Sequence, residues 1–226
     1  ESRENSLIGR KEVFMGKAKF GIFGDGKEVA QIAKAKFFQN GDWRSGYYRD
    51  QTFMMALGQL TSQQFFAQLY AHTDVDAEPA SAGRMMNGHF GTRSLNSKGE
   101  WRTLTDMKNS SSDISCTAGQ MPRLIGLGWA SKLYRENPAL QEFKDFSING
   151  NEVAFGTIGN ASTSEGHFLE AMNAAGVLQI PMVMSVWDDF YGISVPQQYH
   201  TTKESISEAL SGMQRSADKK GFEIFK

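Results

Sequence analysis

Cysteine is almost missing from this sequence: Cys116 is the only one in 226 residues. A single thiol excludes an internal disulfide and fits a reducing compartment, so a cytoplasmic location is the expectation. An excess of either charge is missing too, with 24 basic residues against 25 acidic ones. No basic stripe marks a nucleic-acid partner. No apolar run approaches the roughly 18–20 residues of a membrane helix, and no secretory signal pattern opens the chain. No internal repeat or low-complexity segment occurs. A starting Met is absent, and the last residues, Phe222-Glu-Ile-Phe-Lys226, read as the opening of another strand. The expectation is one domain over residues 1–226, incomplete at both ends, from a longer protein.

What is present is an ordinary globular share of apolar residues, 40%. Residues 1–27 are polar and Gly-rich. From Glu28 to Asn40 the apolar Val29, Ile32, Ala33 and Phe37 fall at helical spacing. Helices are also expected at about Thr52–Leu57 and Ser62–Ala71, with His72 at the second one's C-terminal end, where a cation suits the dipole. Residues 73–118 are irregular, and their interspersed Met, Phe, Trp and Leu argue for a packed loop. A helix follows over Gln120–Glu136, with Leu124, Leu127, Gly128 and Leu133 on one side.

The pattern then sharpens. Asn151–Ile158 is a short buried strand. Ser164–Leu178 is a helix with Phe168, Leu169, Met172, Ala175 and Gly176 as its inner face. Ser162 or Thr163 is its expected cap, and Glu165 lies in the first turn. Ile180–Trp187 is the next strand. A strand-helix-strand unit with short joints makes the two strands parallel. Their carboxyl ends, Gly159-Asn160 and Asp188-Asp189, therefore share one edge, where ligands of such sheets sit. The helix starts at that edge with its donors and positive dipole end, and Ala161 and Ser162 are small enough to admit a phosphate. The edge offers an anion cradle, an amide oxygen and two carboxylates, which suit Mg2+ or Ca2+ and not zinc. A plain structural unit with polar turns is equally compatible with this spacing.

From Gly159 to Asp189 the sequence spans 31 residues and reads GNASTSEGHFLEAMNAAGVLQIPMVMSVWDD, followed by FYGIS. This resembles the thiamine diphosphate motif of the alpha subunit of the decarboxylating component of 2-oxo acid dehydrogenases, of the pyruvate and branched-chain (2-oxoisovalerate) type. That motif opens Gly-Asp-Gly and closes about 30 residues later with Asn-Asn before Tyr-x-Ile-Ser. Three further segments resemble the family in order: SGYYRDQTFMMALG, GRMMNGHFG and SDISCTAGQMPRLIGLGWA. The ligand letters depart from it. Asn160 stands for the opening acid, Asp188-Asp189 for the closing amides, and Trp187 for a phosphate-binding Arg of the branched-chain relatives. Gly24-Asp25-Gly26 has the motif's letters without an acid or amide pair about 30 residues on, and reads as a turn.

The resemblance implies an α/β fold, a parallel sheet flanked by helices. It implies thiamine diphosphate and Mg2+ as cofactors and oxidative decarboxylation of a 2-oxo acid. The cofactor's C2 carbanion attacks the keto carbon, CO2 leaves, and the acyl group passes to a lipoyl group on the acyltransferase component. A beta subunit or fused beta domain supplies the other half of the site, so these residues alone are expected to be inactive. Carried over residue by residue, Tyr48, Arg49, Gly159, Ala161, Ser162 and Glu165 bind cofactor. Asn160, Asp189 and the Tyr191 carbonyl hold the metal, and His89 donates a hydrogen bond in catalysis. The metal set keeps one anionic and one neutral side chain, with their strands exchanged. Two other readings stay open: transketolase-like transfer, and a non-catalytic subunit that keeps the fold with altered ligands.

Overall fold

The computed structural model describes residues 1–226. In chain order the elements are α1 (Ser2–Phe14), α2 (Glu28–Ala35), β1 (Trp43–Ser45), α3 (Gln51–Ala56), α4 (Ser62–Leu69), β2 (Asn109–Ser110), α5 (Gln120–Glu136), β3 (Ala154–Gly159), α6 (Gly166–Leu178), β4 (Met182–Trp187), β5 (Tyr191–Gly192), β6 (Val195–Pro196) and α7 (Ile206–Ala209). The chain divides into two compact units. One holds Glu1–Asp42 and Gly46–Ser115; the other holds Trp43–Ser45 and Cys116–Lys226. No helix is long and apolar enough to cross a membrane.

The first unit contains α1, which hydrophobic spacing does not announce. Its buried residues are Asn5, Ser6 and Gly9. Asn5 Nδ2 donates to Ser62 Oγ at 2.9 Å, and Gln51 Nε2 donates to Ser6 Oγ at 2.8 Å. A Cβ on Gly9 would meet the Phe23 ring at 2.6 Å. Hydrogen bonds and close approach hold this helix, so its inner face is small and polar.

Helix α2 forms where the spacing places it, ends at Ala35, and turns the other way. Gln31 and Lys34 are buried, while Val29 and Phe37 are largely exposed. Gln31 Oε1 accepts from Phe53 N at 2.8 Å and its Nε2 donates to Arg49 O at 2.9 Å. Buried backbone groups need such partners, and that need sets the helix rotation against its apolar stripe. A capping box at Thr61 and Gln64 opens α4. The long irregular stretch is packed, with Phe90 and Leu104 buried. Within it the buried Glu78 carboxylate accepts from the N–H groups of Ala80, Ser81 and Gly83.

In the second unit β1, β3 and β4 run parallel with β3 between the other two. Helix α5 lies on all three strands and α6 lies on α5. Met121, Leu124, Ile158, Phe168 and Met172 form the centre of the core. Leu124 and Gly128 face inward as expected, and a Cβ on Gly128 would sit 3.0 Å from Ile180. Leu133, Leu169 and Gly176 do not complete the expected faces; Ala171 is buried instead. The core meets each helix along a narrower stripe, which at α5 follows from the close approach of Ile180 to Gly128. Phe222 makes a single parallel bridge to Gln214 and no strand follows it. Phe222 and Ile224 pack against the core cluster.

Candidate functional site

The carboxyl edge of the second unit's sheet gathers one group of the expected residues. Strand register pairs Gly159 with Trp187, and Asn160 N donates to Trp187 O at 3.2 Å. Asn160 therefore sits directly beside the Asp188-Asp189 pair. A turn of 3-10 helix, Ala161–Ser164, runs from Asn160 to the start of α6. Neither Ser162 nor Thr163 caps α6. Its N-cap is Glu165, with no side-chain cap bond. Thr163 Oγ1 instead donates to Asn160 O at 2.6 Å, and Ser164 Oγ donates to His200 O. The hydroxyls tighten the turn and the loop beyond β6, because the 3-10 turn puts them one turn ahead of the helix.

Asn160 is buried, and its amide Nδ2 has no hydrogen-bond partner. A buried polar atom left unpaired costs about 1–3 kcal/mol, so the Asn160 amide is available to a group bound at this sheet edge. Asp188 is engaged within its own loop. Its Oδ1 accepts from Phe190 N at 2.9 Å and its Oδ2 from Gln197 Nε2 at 3.3 Å. Asp189 is exposed and accepts from Tyr191 N at 3.2 Å. Both acids are exposed, and each accepts a backbone N–H within the loop. Strand β5 lies on the turn: a Cβ on Gly192 would sit 2.6 Å from Ala161 Cβ. Gln197 Oε1, for which the sequence carries no signal, and Nε2 of His200, which reads as a plain loop residue, are also buried without hydrogen-bond partners. Phe190 and Ile193 hold positive φ, 66° and 60°. Such backbone is strained for bulky and β-branched residues. No three His, Cys, Asp or Glu side chains converge on a common point. A cation at this edge would thus rest on mixed amide, carboxylate and carbonyl oxygens, as Mg2+ does.

The first unit gathers the other group. The Arg49 guanidinium lies 5.3 Å from the Tyr48 ring centroid, within cation–π reach, and the Tyr48 ring is 6.1 Å from that of His89. Gly88, at φ 81°, lets the loop pass the Tyr48 carbonyl, which a Cβ would approach to 2.5 Å. Gln68 of α4 fixes this loop, accepting from Gly88 N at 2.7 Å and donating to His89 O. Asp113 Oδ2 accepts from Phe90 N at 3.0 Å. His89 is buried, with Nε2 2.9 Å from Ser115 Oγ and Nδ1 3.3 Å from Asn87 O. The sequence carries no signal for Gln68; Ser115 lies in a segment already singled out, SDISCTAGQ. Gly24-Asp25-Gly26 is a turn, its Asp25 paired with Arg10 at 2.8 Å.

Beside this group, burial holds the Tyr47 phenol far above its ordinary value, with the neighbouring Asp50 charge adding to it. A raised value means the folded state favours the protonated phenol. The stabilisation is present below the unfolded value near ~10 and is lost as pH climbs toward the folded one. In an alkaline absorbance titration at about 295 nm, Tyr47 is expected to ionise only when the fold opens. A Tyr47→Phe variant should lack that late step; an unchanged profile would contradict this assignment.

Residues 8–214 match the family model described as dehydrogenase E1 component. The chain is 30% identical over 198 residues to the 2-oxoisovalerate dehydrogenase subunit alpha of Bacillus subtilis (strain 168), covering 87% of this chain and 51% of that protein. It is 25% identical over 195 residues to the 2-oxoisovalerate dehydrogenase subunit alpha 1, mitochondrial, of Arabidopsis thaliana, covering 86% of this chain and 34% of that protein. The chain thus spans about half, or less, of the length of these relatives. The matched stretch includes every residue of both groups described above, and the chain belongs to the dehydrogenase E1 component family.

Proposed function

We propose that this chain is the diphosphate- and metal-holding half of a thiamine diphosphate-dependent 2-oxo acid dehydrogenase component. The observation that carries the proposal is the unpaired, buried Asn160 amide set in register beside Asp188-Asp189, in a chain of this family. The amide turns about its own side-chain bond, so Oδ1 can take the unpaired place and face a cation. Asp189 supplies the anionic ligand and the Tyr191 carbonyl the third oxygen. The 3-10 turn and the start of α6 face the diphosphate, with Ala161, Ser162 and Glu165 around it. Arg49 suits the bidentate holding of a phosphate oxygen pair. When bound, thiamine diphosphate supplies the carbanion chemistry that lets CO2 leave a 2-oxo acid. The family resemblance assigns Tyr48 to the cofactor and His89 to catalysis.

In this reading the acyl group passes to a lipoyl-bearing acyltransferase, and a beta subunit or fused beta domain completes a heterotetramer-type assembly in the cytoplasm. The isolated 226 residues do not decarboxylate. A second reading, a non-catalytic subunit of the same fold, is favoured by one observation. Asp188 adds a charge beside the diphosphate, and its two carboxylate oxygens meet the neutral donors Phe190 N and Gln197 Nε2.

The test is a calorimetric titration of the full-length protein, assembled with its partner, with thiamine diphosphate and Mg2+. Binding in the micromolar range is expected. No binding at about 1 mM cofactor would remove the catalytic reading and leave the non-catalytic one.

A further inference from the structure

We infer that Ser115 is a positioning residue for His89, fixing its tautomer and linking its buried ring to the exposed surface. His89 is 2% exposed, whereas Ser115 is exposed. The ring touches a polar partner at each nitrogen: Asn87 O at 3.3 Å from Nδ1 and Ser115 Oγ at 2.9 Å from Nε2. A backbone carbonyl only accepts, so the neutral ring carries its hydrogen on Nδ1. Nε2 is then bare and takes the Ser115 hydroxyl hydrogen. Ser115 Oγ also lies 3.4 Å from Met86 Sδ, but a thioether is the weaker acceptor.

The resting pair therefore presents an oxygen lone pair outward, not an N–H. A proton arriving on Ser115 Oγ allows that oxygen's own hydrogen to pass to Nε2. One Oγ–H bond breaks, one Nε2–H bond forms, and the new Oγ–H points outward. The pair ends as imidazolium and neutral hydroxyl, with one proton gained. The buried ring thus exchanges protons through Ser115. Its use in decarboxylation rests on the thiamine reading proposed above; the tautomer lock does not.

The experiment uses full-length protein assembled with its partner, as wild type, Ser115→Ala and Ser115→Thr. In the absence of cofactor, diethyl pyrocarbonate modification of each His is followed by peptide mass spectrometry, with His167 as internal control. Removing the hydroxyl uncovers Nε2, so Ser115→Ala should speed His89 modification by about fivefold or more, while Ser115→Thr stays near wild type. With cofactor and 2-oxo acid, Ser115→Ala should lower kcat by at least about tenfold with the KM for cofactor unchanged, and Ser115→Thr should restore most of it. Equal His89 modification in wild type and Ser115→Ala overturns the positioning. Faster modification with unchanged kcat overturns the role in the reaction. If wild type binds no cofactor while the modification difference persists, the tautomer lock stands and the thiamine reading alone has failed.

Discussion

Asp189→Ala, in the full-length protein assembled with its partner, is expected to weaken Mg2+-dependent binding of thiamine diphosphate by about 100-fold or more. Asp189 is the sole anionic ligand of the proposed set, and a hard divalent cation draws most of its affinity from such oxygens. Asp188→Ala should change affinity far less, or tighten it. That carboxylate accepts from Phe190 N and Gln197 Nε2, and its removal takes a negative charge away from the diphosphate. The exchange Asn160→Asp with Asp189→Asn keeps one anionic and one neutral ligand across the register pair, so affinity should stay within about tenfold of wild type. Calorimetry with Mg2+ held in excess reads all three variants. Unchanged binding in Asp189→Ala would sink the proposed ligand set. A gain well beyond tenfold in the double exchange would mean that the natural pair is a weakened site, which is the non-catalytic reading.

Phe168→Ala is expected to cost about 3–5 kcal/mol of folding stability, read as a fall in the urea midpoint at unchanged slope. Phe168 is 1% exposed and sits among Met121, Leu124, Ile158 and Met172. It lies in the first turn of α6, just after the 3-10 turn Ala161–Ser164. Losing the ring leaves a cavity where α6 meets α5, and marginal stability makes that a large share of the total. Ile193→Ala is the control. Ile193 is 99% exposed, so the midpoint should not fall. A fall in Ile193→Ala as large as that in Phe168→Ala would contradict the placement of the core.

Much of the second unit was legible in the residues alone. A buried apolar run, a helical period and a second apolar run, joined briefly, leave few topologies open. That put Asn160 beside Asp188-Asp189 before any coordinates, and the register of Gly159 with Trp187 agrees. Helix α5 begins and ends where its pattern does. The first unit was less legible. Helix α1 is held by Asn5, Ser6 and Gly9, residues that periodicity ignores. Helix α2 buries Gln31 in place of Val29, because two backbone groups from distant segments need its amide. The expected cap of α6 failed for a related reason: the Thr163 hydroxyl donates to Asn160 O, and neither it nor Ser162 caps the helix.

The sequence by itself determined the parallel strand-helix-strand unit and the meeting of an amide with two acids at its carboxyl edge. Repeat periods of about 2 and 3.6 residues, together with short joints, are local information. Only the tertiary structure decided how each acid is tied into its loop, which nitrogen of His89 faces Ser115, and which face of α2 is inside. Each depends on hydrogen bonds between residues whose pairing no spacing rule encodes, and on the cost of leaving buried polar groups unpaired.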